Sequence, residues 1–401
     1  MKGAWQTRDL GDICDVVGGG TPSKDNPSFY SGTIPWATVR DMRRDVITQT
    51  EFQITENAVR SSATNIIPSG SVVIATRVGL GKVCLLGQDT AINQDLRGII
   101  PRGDDTLCVG YLYWWLKSIA DLIVAEGTGA TVQGVKLSFV KGLQVPVPPL
   151  AEQQRIVALL DEAFEAIATA KANAEQNLQN ARALVESHLD SVFSEPGEGW
   201  VEMPLAELCD IKHGYAFDGK FFRSEGDYVL LTPGNFYERG GYRDRGEKQK
   251  YYIGDIPQEY VLGEGDLLVA MTEQAAGLLG SPVLVPEAGK FLHNQRLGLV
   301  IGKPGIPWTN EFFFHVFNTR RVRDEIHSSA SGVKVRHTSP SKIGNVRVSF
   351  PVSIDVQRNI VSSLCSLSEK AQQLASLYEH KLAALEELKA SLLHQAFNGE
   401  L

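Results

Sequence analysis

WQTRDLGDICD (Trp5 to Asp15) and WVEMPLAELCD (Trp200 to Asp210) are two versions of one segment, 195 residues apart, with Trp, Leu, Cys and Asp in the same places. Further along, IPSGSVVIA (67–75) matches LGEGDLLVA (262–270) at the same offset. Matches that keep their order and spacing indicate an internal repeat rather than chance similarity. The segment therefore predicts that one fold is built twice in this chain.

Two more matched segments extend the repeat toward its end. NQDLRGII (93–100) matches NQRLGLVI (294–301) at an offset of 201 residues. GATVQGVKLSFVKGLQVPVP (129–148) matches GVKVRHTSPSKIGNVRVSFP (332–351) at an offset of 203. The chain of 401 residues is therefore predicted to be a tandem duplication of roughly 200 residues.

Each repeat changes character after about three quarters of its length. The first part is rich in Gly, Pro and short β-branched runs, which predicts a strand-rich α+β domain. In the second part the prolines stop and helix formers dominate. We predict a first domain at 1–149, a central long helix at 150–195, a second domain at 196–352 and a C-terminal long helix at 353–401.

The two helical stretches carry apolar residues at alternating steps of three and four, which is typical of a coiled-coil seam. We predict that the two helices pair as an antiparallel coiled coil and so hold the two domains at opposite ends. The alternative is that each helix packs only on its own domain. The predicted seam consists of Val157, Leu160, Phe164, Ile167, Leu178, Val185, Leu364, Leu367, Leu374, Leu385, Leu388 and Leu392.

Composition limits the class of protein. Hydrophobic residues make up 43% and charged residues 21%, which is typical of a soluble folded chain. The apolar runs are too short to span a membrane and the N-terminus has no apolar signal core, so we expect a cytoplasmic protein with no membrane partner. The five cysteines are widely spaced, which indicates neither a disulfide framework nor a zinc ribbon.

The net charge of −8 is unevenly distributed. Residues 1–149 hold 14 basic and 14 acidic side chains, and residues 200–352 hold 18 of each. Residues 150–199 hold 3 basic and 9 acidic side chains, and residues 353–401 hold 4 and 6. The acidic excess therefore lies in the helical segments, and the neutral domains remain able to gather Arg and Lys on one face.

The sequence contains no complete motif of the common catalytic and metal-binding types. VGLGK (Val78 to Lys82) lacks the first Gly and the final Ser or Thr of a phosphate-binding loop. HExxH and CxxC do not occur, and the only paired prolines, Pro148 and Pro149, lack the flanking acid or amide and the aromatic residue of an adenine methyltransferase. We therefore predict no catalytic residue, no metal site and no cofactor in this chain.

The arrangement resembles the specificity subunit of Type I restriction-modification enzymes over essentially its whole length. The most specific local matches are GGTPSK followed by IPWATVRDM (19–42), GATVQGVKLSFVKGLQVPVPPLAEQQRIV (129–157) and the tail SLLHQAFNGEL (391–401). The second repeat departs from the pattern, because HGYAF (213–217) replaces the GGTPS loop. Such departures are expected of two domains that recognise different targets.

The resemblance implies a protein that recognises DNA and catalyses nothing itself. Each domain would recognise one half of a bipartite, asymmetric double-stranded site, and the helix pair would set the spacer between the halves. Two methyltransferase subunits would dock on the helices and methylate an adenine in each half-site, and restriction subunits would join for cleavage. S-adenosylmethionine, ATP and Mg²⁺ are expected in those partner subunits, not in this chain.

Candidate DNA-binding residues are polar or basic and cluster in predicted turns, where such side chains suit base edges and phosphates. In the first domain they are Thr21, Ser23, Lys24, Arg40, Arg43, Arg44, Thr76, Arg77, Lys82, Thr131, Gln133 and Lys136. In the second domain they are Lys212, His213, Tyr215, Thr232, Asn235, Thr272, Gln274, Lys334, Arg336 and His337.

Two further features occur in both repeats. Asn93-Gln94 and Asn294-Gln295 are identical in domains of different specificity, which favours a buried hydrogen-bonding role over base recognition. The aromatic segments YLYWWL (111–116) and FFFHVF (312–317) are predicted to form the core of a domain helix rather than a stacking surface for bases. Two alternative functions stay open at this point: a stand-alone nuclease, and an inactive scaffold.

Overall fold

The computed structural model describes residues 5–103, 105–129, 134–273 and 277–401. The chain forms two compact units, one of Met1–Glu175 with Glu379–Leu401 and one of Gln176–Tyr378. Each unit contains one domain and parts of both long helices. None of the helices in the described ranges combines the length and apolarity that a membrane span requires.

The domain of the first unit is built from eleven short strands and five short helices within the described ranges. Its strands are β1 (Gln6–Asp9), β2 (Cys14–Gly18), β3 (Ile34–Ala37), β4 (Val46–Ile47), β5 (Phe52–Ile54), β6 (Asn65–Ile67), β7 (Val72–Ala75), β8 (Val83–Leu86), β9 (Thr90–Ile92), β10 (Leu96–Pro101) and β11 (Gln144–Val147). Its helices are α1 (Leu10–Ile13), α2 (Glu56–Arg60), α3 (Val109–Ser118), α4 (Ala120–Ala125) and α5 (Leu137–Lys141), with 3-10 turns at Pro27–Tyr30 and Val39–Asp41.

These strands form three sheets. The main sheet has the order β2-β10-β7-β8-β4, a second sheet has the order β5-β3-β9-β6, and β1 pairs with β11. Strand β7 is apolar at every position and entirely buried, because it lies inside the main sheet with both faces covered. Antiparallel pairing of β10 with β2 sets Gly18 opposite Arg97, so the end of β2 lies beside the start of β10.

The domain of the second unit repeats this plan. Its strands are β12 (Trp200–Pro204), β13 (Cys209–His213), β14 (Phe222–Arg223), β15 (Tyr228–Leu230), β16 (Tyr251–Tyr252), β17 (Leu267–Ala270), β18 (Thr272–Glu273), β19 (Pro282–Leu284), β20 (Phe291–Leu292), β21 (Leu297–Gly302), β22 (Arg336–His337) and β23 (Arg347–Pro351). Its short helices are α7 (Leu205–Leu208), α8 (Asn310–Asn318), α9 (Arg320–Ser329) and α10 (Pro340–Gly344), with 3-10 turns at Gly219–Phe221, Pro233–Asn235, Gly246–Lys248 and Gln258–Tyr260.

Strand order confirms the duplication. In the second domain β13-β21-β17-β19 reproduces the order β2-β10-β7-β8, β12 pairs with β23 as β1 pairs with β11, and a four-stranded sheet has the order β14-β16-β15-β20. The second domain adds a two-stranded ribbon of β18 and β22. The predicted fold class, two α+β domains each followed by a long helix, is confirmed.

The aromatic segments lie in the domain cores, as expected. The side chains of α3 from Tyr111 to Leu116 are buried against the main sheet. In α8, Phe312, Phe313 and Phe317 are fully buried, whereas Phe314 is only partly so. Neither segment forms an exposed stacking surface.

Each domain is followed in sequence by one long helix: α6 (Leu150–Ser194) follows the first domain and α11 (Ile354–Asn398) follows the second. Within the first unit they run antiparallel. Arg155, near the start of α6, donates to the Leu401 carbonyl after the end of α11, at 2.8 Å, and Lys171 lies 2.6 Å from Glu386. Moving forward along α6 thus means moving backward along α11. In the second unit, Phe193 and Ile360 join the same core cluster.

The structure corrects two positions of the predicted seam. Leu374 and Leu388 are 43% and 47% exposed, whereas their neighbours Ala375 and Lys389 are half-buried. Lys389 places its ammonium 5.3 Å from the Phe164 ring, so its alkyl stem covers the seam where a leucine was expected. The other ten predicted seam residues are buried or half-buried.

A buried glutamine joins each long helix to its domain. The Gln153 side chain donates to the carbonyls of Thr106 and Pro148, both at 2.9 Å, and accepts from the Cys108 N–H. Gln357 donates to the carbonyls of Pro307 and Pro351 at 2.8 and 3.0 Å, and it accepts from the Thr309 hydroxyl. Both glutamines are fully buried, so the start of each helix is fixed to its domain in the same way.

Candidate nucleic-acid interface

Residues 93–96 and 294–297 form the same tight turn, here called the NQ turn. The Asn93 side chain accepts from the Asp95 N–H at 3.1 Å, and the Leu96 N–H donates to the Asn93 carbonyl at 3.2 Å. In the second domain the Arg296 N–H donates to the Asn294 side chain at 3.0 Å, and the Leu297 N–H donates to the Asn294 carbonyl at 2.9 Å. Because an Asn side chain can replace a backbone acceptor, it stabilises a turn at this place.

The loop after the first main-sheet strand crosses directly against the NQ turn. A Cβ atom on Gly19 would lie 2.2 Å from the Asn93 carbonyl oxygen, and one on Gly214 would lie 2.3 Å from that of Asn294. Only glycine permits this approach. Beside the crossing, Gly20 N donates to Ile92 O at 3.0 Å and Tyr215 N donates to His293 O at 2.9 Å.

Two more loops join this arrangement through backbone hydrogen bonds: one bonds directly to the NQ turn, and the other bonds to that loop. In the first domain, Thr76 N donates to Asp95 O at 2.8 Å, and Val135 N donates to Thr76 O at 2.9 Å. In the second domain, Met271 N donates to Arg296 O at 3.0 Å, and Thr338 N donates to Met271 O at 2.9 Å. Each domain therefore brings four separate loops together in one arrangement, here called the loop crossing.

In the first domain a cleft of about 740 Å³ opens beside the loop crossing. Its polar lining includes Thr21, Lys24, Arg40 and Gln94. Its aromatic lining is Tyr30, Trp36 and Phe52, and the Trp36 indole is held by a 3.2 Å hydrogen bond to the Gly20 carbonyl. Cationic and amide donors beside aromatic faces are the groups that contact phosphates, base edges and base faces.

The second domain presents different side chains on the same scaffold. Lys212 lies 3.6 Å from the Glu259 carboxylate and 4.7 Å from the centre of the Tyr260 ring. Tyr215 is exposed and packs edge-on against Phe217 at a centroid distance of 5.0 Å. His213 is exposed at the end of β13. This surface therefore carries a different set of basic and aromatic side chains from the cleft of the first domain.

Glu273 fixes the backbone of residues 277–279 in the second domain. Its carboxylate is buried and accepts from the backbone N–H groups of Gly277, Leu278 and Leu279 at 2.9–3.1 Å. Arg336 completes the cluster at 3.4 Å from the same carboxylate. These bonds attach the ribbon of β18 and β22 to the loop beside it.

Most of the predicted DNA-binding residues lie on the surface. Twelve are exposed: Ser23, Lys24, Arg40, Arg43, Arg44, Arg77, Lys82, Lys136, His213, Tyr215, Lys334 and His337. Five are half-buried: Thr21, Lys212, Thr232, Thr272 and Arg336. Their contact with DNA stays a prediction. Thr131, Gln133 and Gln274 lie outside the described residues.

Two predicted residues are structural instead. Thr76 is 2% exposed and lies within the loop crossing, where its backbone bonds to Asp95 and Val135. Asn235 is 1% exposed, accepts from Thr232 and donates to Gln249 at 2.9 Å. Neither side chain can reach a ligand at the surface, because burial and these bonds fix both inside the domain.

The repeated Asn-Gln pair divides into two roles. Asn93 and Asn294 are buried turn formers, as the sequence predicts. Gln94 and Gln295 are exposed, which differs from the expected buried role. The aromatic lining of the first cleft was not predicted either, because Tyr30, Trp36 and Phe52 lie in three different elements and only the fold brings them to one cleft.

Burial also neutralises a histidine beside the second loop crossing. Burial lowers the pKa of His293 from 6.5 to about 4, against the effect of a 3.0 Å hydrogen bond to the Leu297 carbonyl. Nearby Lys212 and His213 lower this pKa further through their positive charge. His293 is therefore uncharged at neutral pH and serves the packing behind the loop crossing.

Within the described ranges, no three His, Cys, Asp or Glu side chains lie close enough together to hold a metal ion. Cys14, Cys84 and Cys209 are buried, and burial raises the pKa of their thiols to about 12, 11 and 12. Such thiols stay protonated and are poor nucleophiles at neutral pH.

Comparison with known protein families finds a match for both repeats of the chain. The sequence model described as the Type I restriction modification DNA specificity domain matches residues 2–179 and again residues 197–379. The two matches correspond to the two repeats and cover most of the chain.

Individual relatives agree with this family. The chain is 34% identical over 199 residues to the specificity subunit of the Type I restriction enzyme EcoR124I/EcoR124II of Escherichia coli, covering 48% of each chain. It is 31% identical over 229 residues to the MjaIX specificity subunit of Methanocaldococcus jannaschii, covering 52% of each. These alignments span about half the length of either relative.

The fold has a solved counterpart. The crystal structure of the HsdS subunit from Thermoanaerobacter tengcongensis superimposes with a TM-score of 0.68 at 19% identity, covering 100% of this chain and 98% of that one. The chain belongs to the family of the Type I restriction modification DNA specificity domain and carries two copies of that domain in tandem.

Proposed function

We propose that this chain is the DNA-recognition subunit of a Type I restriction-modification enzyme. Each domain recognises one half of a bipartite, asymmetric site in double-stranded DNA. The observation that carries the proposal is the loop crossing, which is built twice with the same backbone hydrogen bonds and different surrounding side chains.

The differences between the two surfaces suit two different half-sites. The first cleft offers Lys24, and Arg40 paired with Glu51, beside aromatic rings, whereas the second surface offers Lys212 paired with Glu259. A common scaffold holds the loops in one geometry, and the side chains on those loops decide which base edges are bound. Two half-sites of different sequence are the expected result.

The partners in this proposal supply all the chemistry. Two methyltransferase subunits bind along α6 and α11 and modify an adenine in each half-site, and restriction subunits join the assembly for cleavage. S-adenosylmethionine, ATP and Mg²⁺ belong to those subunits. The acidic excess of 150–199 and 353–401 supports this division, since these segments are the ones that would face protein rather than DNA.

A genome-wide map of modified adenines tests the recognition function. Two strains are compared, one with this chain and one without it. We expect a bipartite motif with a fixed spacer to be modified only in the strain that contains the chain. Identical maps in the two strains would contradict the proposal, and an uninterrupted motif would contradict the assignment of one half-site to each domain.

The spacer is expected to depend on the length of the long helices. Inserting seven residues within 165–180, with a matching insertion in α11, keeps the heptad phase and lengthens the pair by about 10 Å. Because one base pair of DNA rises about 3.4 Å, the spacer in the modification map should lengthen by roughly three base pairs. The half-site bases should stay the same.

The control for the insertion is Glu165→Ala, which alters an exposed side chain of α6 without changing its length. This variant should leave the spacer unchanged. Altered half-site bases with an unchanged spacer in the insertion variant would rule out a ruler role for the helices.

A further inference from the structure

The two NQ turns expose one identical side chain in domains that otherwise differ. Asn93 and Asn294 are buried, whereas Gln94 and Gln295 are exposed. The hydrogen bonds of the loop crossing fix the backbone on both sides of each glutamine. The two glutamines therefore occupy equivalent positions at the point where the candidate DNA-binding loops meet.

The residues around these glutamines are not shared. Thr21 in the first domain corresponds to Ala216 in the second, and Gly18 corresponds to His213. Directly after the glutamine, the first domain has Asp95 and the second has Arg296. Side chains that differ between the domains can select different bases, whereas an identical side chain on the same backbone turn offers both half-sites the same contact.

We propose that Gln94 and Gln295 bind the sugar-phosphate backbone, each in its own half-site, and so set the same register of DNA on both domains. This inference rests on the proposed function in DNA recognition. The glutamine amide donates to a phosphate oxygen, a contact that positions the duplex and carries no sequence information. The neighbouring loops then recognise bases from a fixed starting point.

The chemistry of Gln94 favours a phosphate over a base. A glutamine that recognises adenine uses both its carbonyl oxygen and its amino group. In the first domain the Thr21 hydroxyl donates to the carbonyl oxygen of Gln94, so it competes with a base for that acceptor. The amino group keeps two donors for phosphate oxygens.

The test uses the full chain assembled with its methyltransferase partner, and a pool of duplexes with random sequence as the probe. Bound DNA is selected and sequenced for the wild type, Gln94→Ala, Gln295→Ala and the double variant. Affinity is then measured for the selected duplex and for an unrelated duplex at one salt concentration.

Loss of one hydrogen bond to phosphate should weaken binding to both duplexes about fivefold for each single variant. The two effects should multiply in the double variant, because the sites are independent. The ratio of the two affinities and the selected motif should not change.

Gln6→Ala is the matched control, since it removes an exposed glutamine on β1. Strand β1 leads to the start of β2, whereas the NQ turn lies beside the opposite end of β2. It should leave both affinities unchanged, and thermal unfolding should show that all variants are folded. A motif that loses its preference at one base pair would overturn the proposal in favour of base recognition, and an unchanged affinity would overturn it as well. A wild-type chain that selects no motif would instead overturn the proposed function.

Discussion

Single buried polar residues fix the parts of this molecule to one another. Gln153 and Gln357 each satisfy two backbone carbonyls and one donor at the place where a long helix leaves its domain. In the second domain, one carboxylate oxygen of Glu273 accepts hydrogen bonds from three backbone N–H groups and so fixes a loop. Buried groups of this kind specify geometry, because leaving any partner unpaired costs free energy.

Replacing Gln153 with Ala should destabilise the first unit by roughly 2–3 kcal/mol, because it leaves the Cys108 N–H and two carbonyls buried without partners. The neighbouring Gln154 is exposed, so Gln154→Ala should change the free energy of unfolding by less than about 0.5 kcal/mol. Urea denaturation of both variants makes the comparison. Equal effects of the two substitutions would contradict the role assigned to Gln153.

At the scale of the element, the long helices show that burial follows geometry rather than residue type. Their inner face uses Ala174, Ala181, Ala371 and the stem of Lys389, while Leu374 and Leu388 face solvent. Small residues in a seam allow two helices to approach closely. The pattern of leucines alone therefore misplaces the seam by one residue at two positions.

Two leucines of α11 provide a direct comparison. Leu364 is 1% exposed, so Leu364→Ala should destabilise the second unit by roughly 2–4 kcal/mol through loss of contacts and creation of a cavity. Leu374→Ala removes the same atoms from an exposed site and should cost less than about 1 kcal/mol. The shift of the urea denaturation midpoint, at unchanged m-value, measures the loss of stability in each variant. A larger effect at Leu374 would restore the seam predicted from the sequence.

At the scale of the whole molecule, the two units differ in their response to acid. Residues 1–175 contain no histidine, and His380 and His394, which complete the first unit, are exposed. The second unit contains His293 and His315, and burial lowers the pKa of each from 6.5 to about 4. Duplicated domains with one fold thus differ in their ionisable interior.

Mild acid should therefore destabilise the second unit selectively. Below pH 6.5 the unfolded chain takes up a proton at His293 that the folded chain does not accept until about pH 4, so stability falls as the pH decreases through this window. Across this whole pH window, proton uptake at His293 alone lowers the free energy of unfolding by roughly 3 kcal/mol. Hydrogen exchange resolved by peptide, at pH 7 and pH 5, should show opening in unit 2 before unit 1. His293→Gln, which keeps a donor for the Leu297 carbonyl, should reduce this difference, and an equal response of both units would contradict the assignment.

The duplication, the α+β class, the two long helices and the buried aromatic segments follow from the sequence, because they depend on periodicity and on which residues leave water. Tertiary structure alone decided which loops meet. Gly20, Thr76, Asp95 and Val135 are far apart in sequence, and the backbone bonds that join their loops arise from strand order and register. The same bonds bury Thr76 and expose Gln94, since side-chain direction at a turn is set by neighbours that are distant along the chain.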